Sequence, residues 1–133
     1  MSVQVRNRLV AKNATHTFEH IWLLEGNSGR CEVEDFLLEL TDQDLAKFIA
    51  VFKRVDADPN YRHPERFQLM EQPVFEFKIF KYRVLCFKTG NDFICVKGMK
   101  KRKSGHVRTT DDAIRSIKKI AREFDEDGTF RSR

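Results

Sequence analysis

Between Val74 and Val96 the chain reads VFEFKIFKYRVLCFKTGNDFICV, and from Val74 its polarity alternates with a period of two. Successive side chains on a strand point to opposite faces, so Phe75, Phe77 and Ile79 share one face and Glu76 and Lys78 the other. Arg83–Phe87 reads as a second strand and Phe93–Val96 as a third. Thr89-Gly90-Asn91-Asp92 between them is a strong turn signal. Around that turn Lys88 faces Phe93 and Cys86 faces Cys95. This run predicts an antiparallel three-stranded meander, and the rest of the chain must cover it.

Upstream, Val33, Phe36, Leu37 and Leu40 recur at helical spacing. Leu45, Phe48, Ile49 and Phe52 repeat the pattern after Thr41-Asp42-Gln43-Asp44. Thr41 can accept hydrogen bonds from the exposed N–H groups, and Asp42 and Asp44 suit the positive end of the helix dipole. Asp58-Pro59-Asn60 ends that helix. Thr17–Leu24 reads as a strand closed by a turn at Glu25-Gly26-Asn27. Residues 59–73 hold all three prolines and read as a loop. Thr109-Thr110-Asp111-Asp112 opens a last helix, whose apolar stripe is Ala113, Ile114, Ile117, Ile120, Ala121 and Phe124.

The expected fold is therefore α+β in a single domain, since 133 residues is an ordinary domain length. Its order is N-terminal strand, helical hairpin, antiparallel three-stranded meander and C-terminal helix. Residues 1–15 are expected as an extension and 125–133 as a flexible tail. One face of the meander takes the helices, and the other is expected to stay open as a polar-lined concave surface.

No run approaches the ~18 apolar residues of a membrane span. The first fifteen residues lack the apolar core of a signal peptide. Three cysteines, none in a C-x-x-C pair, argue against a disulfide framework and against a zinc site. They point to a reducing cytoplasm, with Cys86 and Cys95 as buried free thiols. His16 and His20 have metal-like spacing, but no third ligand stands near.

The net charge of +5 hides an asymmetry: residues 78–108 carry ten basic side chains and one acid, Asp92. Such a block is either a solvated face or a surface for nucleic acid or another polyanion. Lys78 and Arg83 flank the first hairpin. Lys97, Lys100, Lys101, Arg102 and Lys103 leave the third strand, with Gly98 and Gly105 as the points where the backbone turns. His106 and Arg108 follow. If the strands pair as read, these groups converge over one sheet face. An arginine can clamp a phosphate with two parallel hydrogen bonds, a lysine acts as a point charge, and His106 exchanges protons near neutral pH. These are the parts of a metal-free phosphodiester site. Tyr82, Phe87 and Phe93 are candidate base-stacking rings, although the two phenylalanines read better as core.

Three stretches carry a resemblance to the RelE/ParE toxin superfamily of type II toxin–antitoxin pairs, closest to its HigB-like and phage-derived members. Phe75-Glu76-Phe77-Lys78 resembles that family's strand ending in a basic residue, often arginine. Tyr82-Arg83-Val84-Leu85-Cys86-Phe87 is similar to its "YRVLYF" strand. Lys97–Lys103, followed by Asp112-Ala113-Ile114-Arg115, resembles its "hgFkKKt…eieeA". The match spans roughly residues 17–124. The resemblance implies a cytoplasmic mRNA endonuclease, often ribosome-associated, that needs no metal or other cofactor. The ribose 2′-OH would attack the neighbouring phosphate, and an antitoxin protein would cover the basic surface. It places Arg83 on the scissile phosphate with Lys78 beside it. Lys100, Lys101 and Lys103 would hold the backbone, and His106 would be the general acid or base. This chain departs from the pattern in a longer N-terminal extension and in lacking the tyrosine that some members carry after the last helix. Two other readings share the surface: a non-catalytic inhibitor of a topoisomerase, as in the ParE branch, and a general nucleic-acid binder.

Overall fold

The computed structural model describes residues 4–6, 8–11, 14–26, 28–101 and 107–127. The elements, in chain order, begin with four strands: β1 (Gln4–Arg6), β2 (Arg8–Ala11), β3 (Ala14–Thr17) and β4 (Ile21–Glu25). Helices α1 (Glu32–Leu38) and α2 (Asp42–Ala57) follow. Strands β5 (Phe67–Glu71), β6 (Val74–Ile79), β7 (Tyr82–Thr89) and β8 (Asp92–Lys100) lead to helix α3 (Val107–Asp127). The fold is α+β. Its main sheet is mixed, in the order β1-β4-β8-β7-β6-β5, and β4 is parallel to β8. Strands β2 and β3 form a separate hairpin.

The expected three-stranded meander is a four-stranded one. Phe67, inside the stretch read as a loop, starts β5, pairs with Phe77 and is fully buried. The prolines that hid this strand lie outside it. The first long strand is also shorter than the sequence implied, and the cause is local. The N–H groups of Glu19 and His20 donate to the Asp56 carboxylate at the end of α2 instead of joining a ladder. Pairing therefore begins only at Ile21, opposite Phe93.

Local signals elsewhere produce the elements they predict. Thr41 caps α2 by accepting from the Asp44 N–H at 3.2 Å. Asp58 closes that helix. The turn at Gly90 takes φ +62°, and Lys88 opposes Phe93 and Cys86 opposes Cys95 in the register. All three cysteines are buried free thiols. Burial and its neighbour Cys95 push the Cys86 thiol well up, so it stays protonated and inert.

Two cores sandwich the sheet. On one face Val33 and Leu37 of α1 and Phe48 and Phe52 of α2 pack against Phe75, Phe77, Val84 and Phe93. The Phe52 and Phe77 rings meet edge to face at 4.7 Å. On the other face the expected stripe of α3 packs against Val74, Leu85, Phe87 and Ile94. The second face is therefore covered and not open, because four large apolar side chains stand on it. Lys118 of α3 ion-pairs with Glu71 of β5. Among the described residues no helix is long and apolar enough to cross a membrane.

Gly98 is not a turning point. It lies within β8, opposite Val84, and a Cβ there would sit 2.2 Å from the Phe36 ring. The missing side chain lets α1 seat on the sheet. Gly105 lies outside the described residues. Gly98→Ala is expected to destabilise the fold by about 1–3 kcal/mol through overpacking. Urea unfolding with Gly98→Ala alone and combined with Phe36→Ala checks this: the second change should recover part of the loss.

Candidate nucleic-acid interface

The two-residue turn Phe80-Lys81 joins β6 to β7 and sets Lys78 opposite Arg83. The same register sets Glu76 opposite Leu85, whose side chain faces α3. Glu76, Lys78 and Arg83 thus stand on the α3 face, at the end of the sheet that carries the turn. Arg83 Nε lies 3.1 Å from Glu76 Oε1, with the two side chains 14% and 7% exposed. The two groups form a buried ion pair. The guanidinium also donates from Nη1 to the Phe80 carbonyl at 2.7 Å and to the Tyr82 carbonyl at 3.0 Å.

Glu76 is the residue the sequence reading passed over. Burial pushes its pKa up from 4.5, against the pull of Arg83, Lys78 and Lys101. Desolvation wins although three cations surround the carboxyl. The signal was present in the hairpin: with a two-residue turn, an acid at position 76 is the diagonal neighbour of Arg83.

The predicted basic residues divide. Lys78, Arg83 and Lys101 gather around Glu76. Lys97 and Lys100 belong to β8 itself and not to an exit loop. A bulge opposite Leu85 and Cys86 turns Val96 and Lys97 together toward α3. There Lys97 lines a cavity of about 350 Å³ with the acids Glu32 and Asp112. Lys100 opposes Tyr82, which faces the helical hairpin, so Lys100 is on the other face from Arg83. Arg102, Lys103 and His106 lie outside the described residues. The backbone of Arg108 is in the first turn of α3, and its side chain also lies outside them.

Two of the three rings considered for base stacking are closed off by burial. Phe87 and Phe93 are core. Tyr82 is half-buried and meets the Phe36 ring at 6.1 Å and 70°.

A second basic concavity, unnoticed in the sequence, lies across the same turn. It measures about 680 Å³ and sits between α2 and the end of β6, with Arg54, Arg66 and Phe80 on its walls. Its residues come from three separate segments, which no local pattern connects. No protein-family model matches this chain, and no curated protein is significantly similar to it.

The pKa direction of Glu76 fixes a pH dependence. The folded chain holds this proton to higher pH than the unfolded chain does. Its contribution therefore favours folding fully below about pH 4.5 and is lost as pH rises through the raised pKa. Glu76→Gln is expected to flatten that part of the stability–pH curve, read from denaturation midpoints. Arg83→Ala leaves the buried carboxyl without its closest partner and is expected to cost about 3–5 kcal/mol near neutral pH, less under acid conditions.

Proposed function

We propose that this chain is a toxin of the RelE/ParE kind that cuts RNA without a metal, acting in the cytoplasm under the control of an antitoxin protein. The observation that carries the reading is the gathering of Lys78, Arg83 and Lys101 around one buried carboxyl. Two of the three stretches that resemble the family form the adjacent antiparallel strands that make this cluster. The order strand, helical hairpin, antiparallel strands, helix supports it further.

In this reading the ribose 2′-oxygen bonds to the adjacent phosphorus while the bond from phosphorus to the 5′-oxygen breaks. A base takes the 2′-OH proton, and an acid supplies one to the departing 5′-oxygen. The products are a 2′,3′-cyclic phosphate and a 5′-OH end. The cations offset the charge that builds on the phosphoryl oxygens. Arg83 and Lys78 have that role, with Lys101, Arg102, Lys103 and Arg108 gripping the backbone. Glu76 is a carboxyl whose raised pKa suits proton exchange, and His106 is the complementary acid or base. Glu76 also fixes the direction of the Arg83 guanidinium.

One observation favours a second reading, a ParE-like inhibitor that binds without cutting. The Arg83 guanidinium is already engaged by Glu76 and two carbonyls. A binding module needs no more of it than that.

Inducible expression, followed by mapping of new RNA ends on translated messages, separates the two. Wild type is expected to stop growth and create 5′-OH ends. Lys78→Ala, Arg83→Lys and His106→Ala should each lower cleavage by about 10²–10³ while thermal melts confirm folding. Growth arrest with no new RNA ends would move the assignment to the inhibitor. Cleavage unchanged in all three variants would overturn the proposal.

A further inference from the structure

The concavity beside the β6–β7 turn has a chemistry of its own. Lys47, Ala50, Val51 and Arg54 stand at spacings of three, four and seven along α2 and form one wall. Ala50, Val51 and Ile79 give it an apolar lining. Lys47, Arg54 and Arg66 give it three cations, and no acid lines it. Among the described residues none of these three forms an ion pair with a carboxylate. Three like charges around one cavity repel one another, and an anion would relieve that repulsion. His63 is also at the wall. Its Nδ1 accepts from the Glu65 N–H at 3.1 Å, so the neutral ring carries its proton on Nε2.

The rings complete the set. Tyr61 lines the cavity under the Arg54 guanidinium, 5.9 Å from the ring centre. Phe80 lines it too, is 77% exposed and holds φ at +54°. An aromatic residue in the left-handed region is strained, and glycine or asparagine ordinarily takes such a turn position. The exposed ring has the Lys81 ammonium 5.5 Å from its centre and buries little apolar surface. Strain and exposure at a cavity mouth are what a ligand-contacting residue shows.

We infer that this cavity binds one nucleotide of a single-stranded RNA, its phosphate held by Arg54, Arg66 and Lys47 and its base stacked on Phe80. The choice of RNA rests on the endonuclease reading, but the site lies outside the Glu76 cluster and does not require cleavage. The site lies on the opposite sheet face from the Glu76 cluster, and Phe80 joins the two: its ring lines the cavity and its carbonyl accepts from Arg83. A strand rounding that turn would contact the two in succession.

Binding is measured by fluorescence anisotropy with a labelled single-stranded RNA of about eight nucleotides, within the usual site size of single-strand readers. Its riboses are 2′-O-methylated, so 2′-OH attack cannot occur. Phe80→Ala is expected to weaken binding about 5- to 150-fold, the range for losing one stacked base. Phe80→Gly should weaken binding similarly while raising the melting temperature, because glycine relieves the strain. Arg54→Gln with Arg66→Gln should reduce the slope of log affinity against log salt by about 0.7 or more. Lys53→Gln, the loss of one charge on α2 away from the cavity, should leave affinity within about twofold. Uridine monophosphate should displace the RNA at concentrations where inorganic phosphate does not.

The inference is overturned if Phe80→Ala and Phe80→Gly both bind like wild type. It is equally overturned if Lys53→Gln matches the arginine pair, or if phosphate displaces as well as the nucleotide. Unmodified RNA, incubated in parallel, tests cleavage separately. Binding that depends on Phe80 without cleavage would remove the endonuclease reading and keep this one. Cleavage with Phe80-independent binding would do the reverse.

Discussion

Val84, Leu85, Cys86 and Phe87 are consecutive on β7, and all four are buried. A strand can bury consecutive residues only when both faces of its sheet are covered. The rest of the architecture answers that demand. The helical hairpin takes the Val84 and Cys86 side, and α3 takes the Leu85 and Phe87 side. Strand β8 passes between the two covers. It yields its side chain at Gly98 so that Phe36 can seat, and it bulges near Val96 to meet α3.

Where the apolar residues of the sheet give out, the charged ones begin. Glu76 stands on the same face as Val74 and Leu85, but with Arg83 beside it. Burial and countercharge act on this carboxyl in opposite directions, and burial prevails. Arg83 also grips the carbonyl of Phe80. One guanidinium thus links the ion pair on one face to the strained turn residue on the other.

Much of this was legible in short-range pattern. Periodicity marked the hairpin helices, the stripe of α3 and the register around Gly90, since each depends on neighbours in sequence. Strand β5 escaped notice because prolines crowd its flanks and only pairing with β6 reveals it. The cover on the second face was deducible. Val74, Leu85, Phe87 and Ile94 fall on the side of Glu76, and four such residues do not line an open surface. The scattering of the basic residues was not deducible. Lys97, Lys100 and Lys101 are near neighbours in sequence, yet a bulge and the alternation of the strand send them to different surroundings. The second basic concavity needed α2, the 61–66 loop and the β6 end in one place, and that is a property of the fold alone.

Helix α3 follows β8 in the chain, so the sheet is synthesised before its second cover. Until the 21 residues of that helix have emerged and docked, Val74, Leu85, Phe87 and Ile94 face water. A nascent chain halted at that stage presents a broad sticky plane of the sort that chaperones hold and that aggregates recruit. The hairpin side is closed earlier, because α1 and α2 precede the strands they cover. Maturation is therefore lopsided: one side of the sheet meets a waiting cover, and the other depends on prompt emergence of α3.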